Sequence, residues 1–120
     1  DIVEQVLQTG FWPDPFSTDG NSTSRDTAGV IDFPNIMSKF LSFGMTLDDV
    51  VARATVNASR LFPFFNDLGT LNIGSRADIA LLELRKDAYE FLDNYENLRP
   101  GRERLFPSGT ILGGIVAPQI

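Results

Sequence analysis

The stretch LGTLNIGSRADIALLEL, residues 68–84, decides the fold because the hydrophobic period changes here from that of a helix to that of a strand. It predicts a strand over residues 68–71, a turn over 72–76 and a second strand over 77–84. A further turn is expected around Pro100 and Gly101. Additional strands are expected at residues 90–93, 103–106, 110–112 and 114–117. The C-terminal half of the chain therefore indicates a small antiparallel β unit.

Upstream of this stretch the sequence predicts mainly helices. Residues 1–9 have the pattern of the last turns of an amphipathic helix, and Gly10 ends it. Three short helices are then expected, because a capping residue precedes apolar residues at helical spacing each time. Their predicted starts are Asp32, Thr46 and Asn57, and Pro63 closes the last of them.

The segment between the first two helices has a different character. Pro13 and Pro15 exclude a helix and confine any strand to residues 16–19. Residues 20–32 form a polar loop that is longer than most connections, and such loops are usually functional or mobile. We expect a domain boundary near residues 64–67, with residues 1–66 carrying one strand and the helices and residues 67–120 the β unit.

The amino-acid composition limits the chemistry that the side chains of this chain can carry out. The 120 residues carry 10 Lys plus Arg against 16 Asp plus Glu, a net charge of −6, which argues against a nucleic-acid surface. The chain has no Cys and no His, so disulfides, thiolate sites and a Ser-His-Asp triad cannot be built from it. It shows no signal peptide and no membrane span, and we expect a cytoplasmic protein. A chain that opens inside a helix is expected to be a fragment.

Four segments together resemble the amidohydrolase superfamily. Residues 68–80 match its signature G-x-L-x-x-G-x-x-A-D-x-A, and residues 54–61 are similar to its T-x-N-P-A helix, from which Ser59 departs. Residues 16–19, FSTD, resemble the end of the eighth barrel strand. Residues 36–45, IMSKFLSFGM, resemble the M-S-K helix of the branch that contains dihydroorotase-like deacetylases and esterases of small acylated amino or hydroxy acids.

The resemblance implies a fold of class α/β plus β. Residues 1–66 would be the last strand and helices of a (β/α)8 TIM-like barrel, and residues 67–120 part of a small β-sandwich. The resembling enzymes bind a divalent metal, with zinc as the expected ion, through an H-x-H pair, usually a carboxylated lysine, and two further histidines. This chain has none of these, so the metal is expected only in a full-length parent and no cofactor is expected for this chain alone.

Asp19 is the candidate catalytic residue. It ends the predicted strand and precedes the polar loop, and in a barrel the carboxyl ends of the strands are where reacting groups gather. The resemblance implies that Asp19 is both a metal ligand and the group that moves a proton during hydrolysis. It also places loop 20–32 beside the substrate, with Asn21, Ser22 and Arg25 as candidate substrate-binding residues.

Each of these residues also has a purely structural interpretation. Asp19 could serve as an N-cap or Asx-turn residue, and Arg25 could be a solvated partner of Asp26. The pair Asp48 and Asp49 is interpreted as a solvated helix start favoured by the helix dipole, not as an acid–base dyad. Aromatic side chains are expected in the core, including Trp12, Phe62, Phe64 and Phe65.

Two function classes follow. The first is the C-terminal third of a metal-dependent amidohydrolase that cleaves an amide, cyclic amide or acyl ester of a small molecule, with the isolated chain inactive. The second is a non-catalytic remnant that packs against a missing N-terminal segment or self-associates, with no nucleic-acid or membrane partner. A carboxylate-only glycosidase is disfavoured because it needs a paired acid at a defined separation, and no second carboxylate near Asp19 is a compelling partner for it.

Overall fold

A computed structural model describes residues 2–24 and 29–118 of the chain. Four α-helices come first: α1 at Ile2–Gln8, α2 at Phe33–Ser42, α3 at Leu47–Ala54 and α4 at Val56–Leu61, followed by a 3₁₀ turn at Pro63–Phe65. Three strands follow: β1 at Ile79–Leu92, β2 at Leu98–Leu112 and β3 at Ile115–Val116. The strands form one antiparallel sheet in the order β1-β2-β3. None of the helices so described is long and apolar enough to cross a bilayer.

The helix ends lie close to where the capping residues predict them. The Asp32 carboxylate accepts the Asn35 N–H at 2.7 Å, and the Thr46 hydroxyl accepts the Asp49 N–H at 3.2 Å. Gly10 follows α1 with φ +86°, a conformation that glycine adopts readily. The predicted N-cap at Asn57 is wrong: α4 begins at Val56, and the N-cap position is Thr55, two residues earlier. The Asn57 side chain donates to the Asp14 carbonyl at 3.0 Å instead of capping the helix.

The β unit has fewer and longer strands than predicted. Residues 68–71 are not a strand, although the turn over 72–76 forms, with the Ser75 N–H donating to the Asn72 carbonyl. The strands predicted at 77–84 and 90–93 belong largely to the single strand β1, and those predicted at 103–106 and 110–112 belong to β2. The strand predicted at 114–117 is the short strand β3. Pro100 and Gly101 lie inside β2, opposite Glu90 and Tyr89, so the turn predicted there is wrong. Pro100 has no N–H to donate, and this is tolerated because the outer edge of β2 has no strand partner at this point among the described residues.

Two further predictions in the N-terminal half are wrong. Residues 16–19 lie outside any helix or strand. A strand needs a hydrogen-bonded neighbour, and none of the described strands pairs with this segment. Three phenylalanines placed in the core by their apolar character are exposed: Phe62, Phe64 and Phe65. Trp12, in contrast, packs against the core as expected.

The core joins the helices to the sheet. Its buried members come from α2, the α2–α3 connection, α3 and β2: Met37, Met45, Val50 and Leu105. Ser38 is fully buried beside them, donates to the Pro34 carbonyl at 2.6 Å and accepts the Leu105 N–H at 2.8 Å. The outer edge of β2 is therefore hydrogen-bonded to a helix at this position.

Ser38→Ala is expected to destabilise the chain by about 1–3 kcal/mol, because it leaves the buried Leu105 N–H without an acceptor. Denaturant unfolding measures the change, and Ser17→Ala, at an exposed serine, is the matched control. Equal stability of the two variants would show that the bond between α2 and β2 contributes nothing.

Candidate functional site

Helix α2 carries a polar stripe that faces its neighbours. Its members are spaced by three or four residues and so share one side of the helix: Asn35, Ser38, Lys39 and Ser42. Asn35 donates to the carbonyls of Gly29 and Val30, and Ser42 receives the Arg99 guanidinium of β2 at 3.0 Å. The stripe thus connects α2 both to the end of the polar loop and to the sheet.

The aromatic side of α2 holds the segment that leads into Asp19. The Phe16 ring stacks on Phe40 with 4.3 Å between the ring centroids and lies 5.9 Å from the ring of Phe33. Stacking at this separation adds to the burial of both rings. The main chain three residues before Asp19 is therefore anchored, even though no ladder of strand hydrogen bonds forms there.

Asp19 itself is exposed, with a left-handed backbone at φ +50°. This conformation is uncommon for a residue other than glycine, but aspartate and asparagine adopt it several times more often than most. Asp19 is the acceptor of two hydrogen bonds through its main-chain oxygen, from the Asn21 side chain at 3.2 Å and from the Ser24 hydroxyl at 3.3 Å. Asp19 is therefore an exposed residue whose main chain belongs to a structured turn.

Asn21 organises that turn. Its Oδ1 accepts the N–H groups of Thr23 at 2.8 Å and Ser24 at 3.0 Å, which is the Asx-turn role that the sequence left open for Asp19. Ser22 is exposed at the tip of the turn. Arg25, the third candidate for substrate binding, lies outside the described residues. The structure thus brings Asp19, Asn21 and Ser22 together in one short turn, and their functional roles remain predictions.

A groove of about 840 Å³ begins beside this turn. Its lining comes from α1, from Ser17 and Thr18, from Gly29 and Val30, from α2 and from the closed end of the β1–β2 hairpin. Arg99 lines it while bound to Glu4 at 2.9 Å and stacked on the Phe43 ring at 4.3 Å. Asp19 follows the groove-lining residue Thr18 directly, so its backbone stands at the margin of this concavity.

Lys39 is a second partly buried cation that lines the groove, beside Arg99. Its ammonium donates to the Gly29 carbonyl and, at 2.5 Å, to the Leu92 carbonyl at the end of β1. Burial lowers the pKa of Lys39 from its ordinary 10.5, and the nearby negative charge of Asp93 partly opposes that shift. The sequence prediction assigned no role to Lys39, although a lysine within the apolar pattern of a helix is a signal that could have drawn attention to it.

Asp93 fixes the hairpin turn next to Lys39. Its carboxylate accepts the Asn97 side-chain amide at 3.0 Å and the N–H groups of Asn97 at 2.9 Å and Tyr95 at 2.8 Å. The Asn97 amide, followed by these N–H groups, holds the pKa of Asp93 below its ordinary 3.8. Because the folded pKa is depressed, the turn is stabilised fully above pH ~4 and loses this stabilisation as the pH falls through the folded pKa.

Asn97→Ala is expected to raise the pKa of Asp93 toward its ordinary value, because the largest contribution to the depressed pKa is removed. Carboxyl-carbon NMR titration measures the pKa directly. Asn94→Ala changes an exposed amide of the same turn and is expected to leave the pKa of Asp93 where it is. An unchanged pKa in Asn97→Ala would refute this account of the turn.

The geometry defines a helical layer packed on a β-hairpin, with an anchored acidic turn at the edge of a groove. A family model described as "Amidohydrolase family" matches residues 3–117, and the chain belongs to that family. A deacetylase from Enterococcus faecalis is 26% identical over 113 residues, which are 94% of this chain and 30% of the relative.

Two solved structures share the fold. The match to a crystal structure of an adenine deaminase has a TM-score of 0.90 at 24% identity, and it covers 98% of this chain and 32% of the deaminase chain. The match to a crystal structure of a dihydroorotase has a TM-score of 0.84 at 25% identity, and it covers 97% of this chain and 31% of the dihydroorotase chain. The chain thus spans about a third of the length of the relatives that it matches.

The family is generally metal-dependent, and the donor set of this chain can be tested against that requirement. Among residues 2–24 and 29–118, no three carboxylate, imidazole or thiolate side chains come together as a metal site would need. Asp19 offers one carboxylate in the candidate turn, whereas a catalytic zinc ion usually takes three protein ligands. The residues described here therefore do not form a metal site by themselves.

Proposed function

We propose that this chain is the C-terminal third of a metal-dependent amidohydrolase that cleaves an amide, cyclic amide or acyl ester of a small molecule. The observation that carries the proposal is the family match over residues 3–117. The names of two relatives, a deacetylase and a dihydroorotase, describe hydrolysis of an acyl or cyclic amide group. In this proposal the segment containing Asp19 belongs to a TIM-like barrel, and the β1–β2 hairpin belongs to a small β-sandwich.

The proposed role of Asp19 is to move a proton. As the oxygen of a water molecule bonds to the substrate carbonyl carbon, the Asp19 carboxylate takes the proton that the water loses. Asp19 then gives that proton to the leaving nitrogen or oxygen as its bond to carbon breaks. The exposed carboxylate on an anchored turn supports this role, because the group is accessible and its main chain is held.

The remaining parts of the site are assigned more broadly. We place Asn21, Ser22 and Arg25 at the substrate, where an arginine would meet a carboxylate through two parallel hydrogen bonds. Asp19 would be the contribution of this chain to the metal shell, and the other ligands would come from residues outside the chain. On this basis the 120-residue chain alone is expected to be inactive.

The proposal is tested by sequencing the reading frame upstream of residue 1 and by assaying the extended protein that it encodes. Extending the reading frame upstream is expected to reveal an H-x-H pair on a predicted strand, and the extended protein is expected to hydrolyse N-acetylated amino acids or dihydroorotate. A stop codon or unrelated sequence upstream would remove the proposal, and so would an extended protein that hydrolyses no member of this substrate panel.

A second candidate is a non-catalytic domain that self-associates. Large apolar side chains that are strongly exposed favour it, among them Phe64 at 89%, Leu71 at 80% and Ile73 at 108% of full exposure. Monomers rarely expose extensive apolar surface. Light scattering after size-exclusion chromatography, together with metal analysis, separates the candidates: a stable metal-free oligomer that hydrolyses nothing supports the second, and stoichiometric metal in the extended protein supports the first.

A further inference from the structure

Lys39 joins three separate parts of the chain at one ammonium group. The lysine is on α2, one acceptor is the Gly29 carbonyl at the end of the polar loop, and the other is the Leu92 carbonyl at the end of β1. An ammonium carries three donors at tetrahedral angles, so it can bind carbonyls that approach from different directions. Within the described structure this is a point where the polar loop, α2 and the hairpin meet.

The backbone at Gly29 is built for close approach to the hairpin. A Cβ atom at this position would lie 3.1 Å from the Leu92 oxygen and 3.5 Å from the Asp93 oxygen. The carbonyl oxygens of Gly29 and Leu92 both accept from the Lys39 ammonium, and its positive charge offsets the repulsion between these two partial negative charges. Glycine permits the approach and lysine stabilises it.

The residues after Gly29 are held in an unfavourable conformation. Ile31 has φ +56°, which is rare for a β-branched side chain and costs free energy. Asn35 binds the carbonyls of Gly29 and Val30 on one side of Ile31, and Asp32 caps α2 on the other. The strain persists because both sides of Ile31 are fixed, and Lys39 contributes to the fixation at Gly29.

The loop is thus anchored to α2 at both ends. Phe16 stacks on Phe40 before Asp19, and Gly29 is held by Lys39 and Asn35 after it. Lys39 and Phe40 are neighbours in sequence, so both ends of the loop contact the same turn of α2. Lys39 acts on the Gly29 end of the loop, whereas the stacking of Phe16 on Phe40 holds the end that carries Asp19.

We infer that Lys39 is a positioning residue: by holding the Gly29 and Leu92 carbonyls together, it fixes the hairpin against the loop that carries the candidate substrate-binding residues. Its effect on activity rests on the proposed function, but its effect on the loop does not. Lys39 acts through the main chain of the loop and touches no reacting atom.

The structural test uses NMR relaxation of the 120-residue chain. In Lys39→Met the order parameters of the Gly29 and Val30 amides are expected to fall from about 0.85, the value of rigid backbone, to below about 0.6. Cross-peaks between Gly29 and Leu92 or Asp93 are expected to disappear. Lys86→Met, at an exposed lysine on β1 that pairs with Glu103 at 3.8 Å, is the matched control and is expected to change neither.

Chemical rescue separates positioning from general stability. The chain has no cysteine, so in Lys39→Cys the thiol can be alkylated selectively with bromoethylamine, which restores an ammonium at nearly the lysine reach. The alkylated chain is expected to recover the order parameters and the cross-peaks. The inference would be overturned if folded Lys39→Met kept the high order parameters of the Gly29 and Val30 amides. It would also be overturned if alkylation of Lys39→Cys failed to restore them. Global unfolding of both Lys39→Met and Lys39→Gln would overturn it as well, because it would assign the residue to stability alone.

Kinetics on the extended protein test the consequence for the site. Lys39→Met is expected to raise KM about tenfold and to change kcat much less, because displaced substrate-binding groups weaken the binding of substrate and transition state alike. A fall in kcat at unchanged KM would overturn the positioning role proposed for the loop. If the unmutated protein hydrolyses nothing, the proposed function fails, and the NMR measurement still decides whether Lys39 fixes the loop.

Discussion

Replacing Asp19 by asparagine is expected to lower kcat/KM of the extended protein by about 10²–10⁴-fold, the contribution that a positioned general acid or base makes to hydrolysis. The side chain keeps its shape, but the amide cannot accept the proton of the attacking water. The main-chain oxygen of residue 19 still accepts hydrogen bonds from Asn21 and Ser24, so the turn is expected to remain folded. Steady-state kinetics on N-acetylated amino acids and dihydroorotate measure the effect.

Asp14→Asn is the matched control for Asp19→Asn. Asp14 is also exposed, lies five residues upstream and binds Asn57 through its main-chain carbonyl, which the substitution leaves intact. Its kcat/KM is expected to equal that of the unmutated protein. An Asp19→Asn variant with full activity would end the proposed role of Asp19 and would leave the family membership of the chain untouched.

Leu105→Ala is expected to give the largest loss of stability, about 2–5 kcal/mol in the free energy of unfolding. The side chain is 4% exposed and belongs to the cluster with Met37, Met45 and Val50, so its removal leaves a cavity where β2 meets the helices. Since the Leu105 N–H also donates to Ser38, the position links the core to the hydrogen bond that attaches α2 to the sheet.

Leu112→Ala removes the same atoms from the same strand at a site that is 65% exposed. Its unfolding free energy is expected to change by much less, because most of that side chain already contacts solvent. Urea unfolding of both variants compares them directly. Equal destabilisation at the two positions would contradict the placement of the core between α2, α3 and β2.

The sequence predicts the helices well and the strands poorly, and the difference has a physical cause. Asp32 and Thr46 mark helix starts because a capping side chain bonds a main-chain group only three residues away. Strand limits depend instead on distant partners. Pro100 and Gly101 are typical of a turn, yet both lie within β2. Glycine is required at position 101 because a Cβ atom there would come within 2.4 Å of the Phe91 ring.

The exposed phenylalanines show a second limit of the sequence pattern. Phe62, Phe64 and Phe65 are apolar enough for a core, but the pattern does not say which surface buries them, and in the described structure they are exposed. Trp12 is equally apolar and does reach the core. The apolar character of a residue therefore predicts a tendency to be buried and leaves its partner undetermined.

The candidate site was accessible to sequence reasoning only in part. Asp19, Asn21 and Ser22 are close in sequence, and the structure places them in one turn. Lys39 was missed because its acceptors lie 10 and 53 residues away, at Gly29 and Leu92. Contacts over such separations are set by the packing of α2 against the hairpin, which no local pattern encodes.

The most direct test of the central claim is a crystal structure of the extended protein, with the metal located by its anomalous scattering. We predict a divalent metal with the Asp19 carboxylate within coordination distance and the remaining ligands supplied by residues outside the present chain. A metal bound without Asp19, or an Asp19 side chain directed into solvent away from every metal, would contradict the claim.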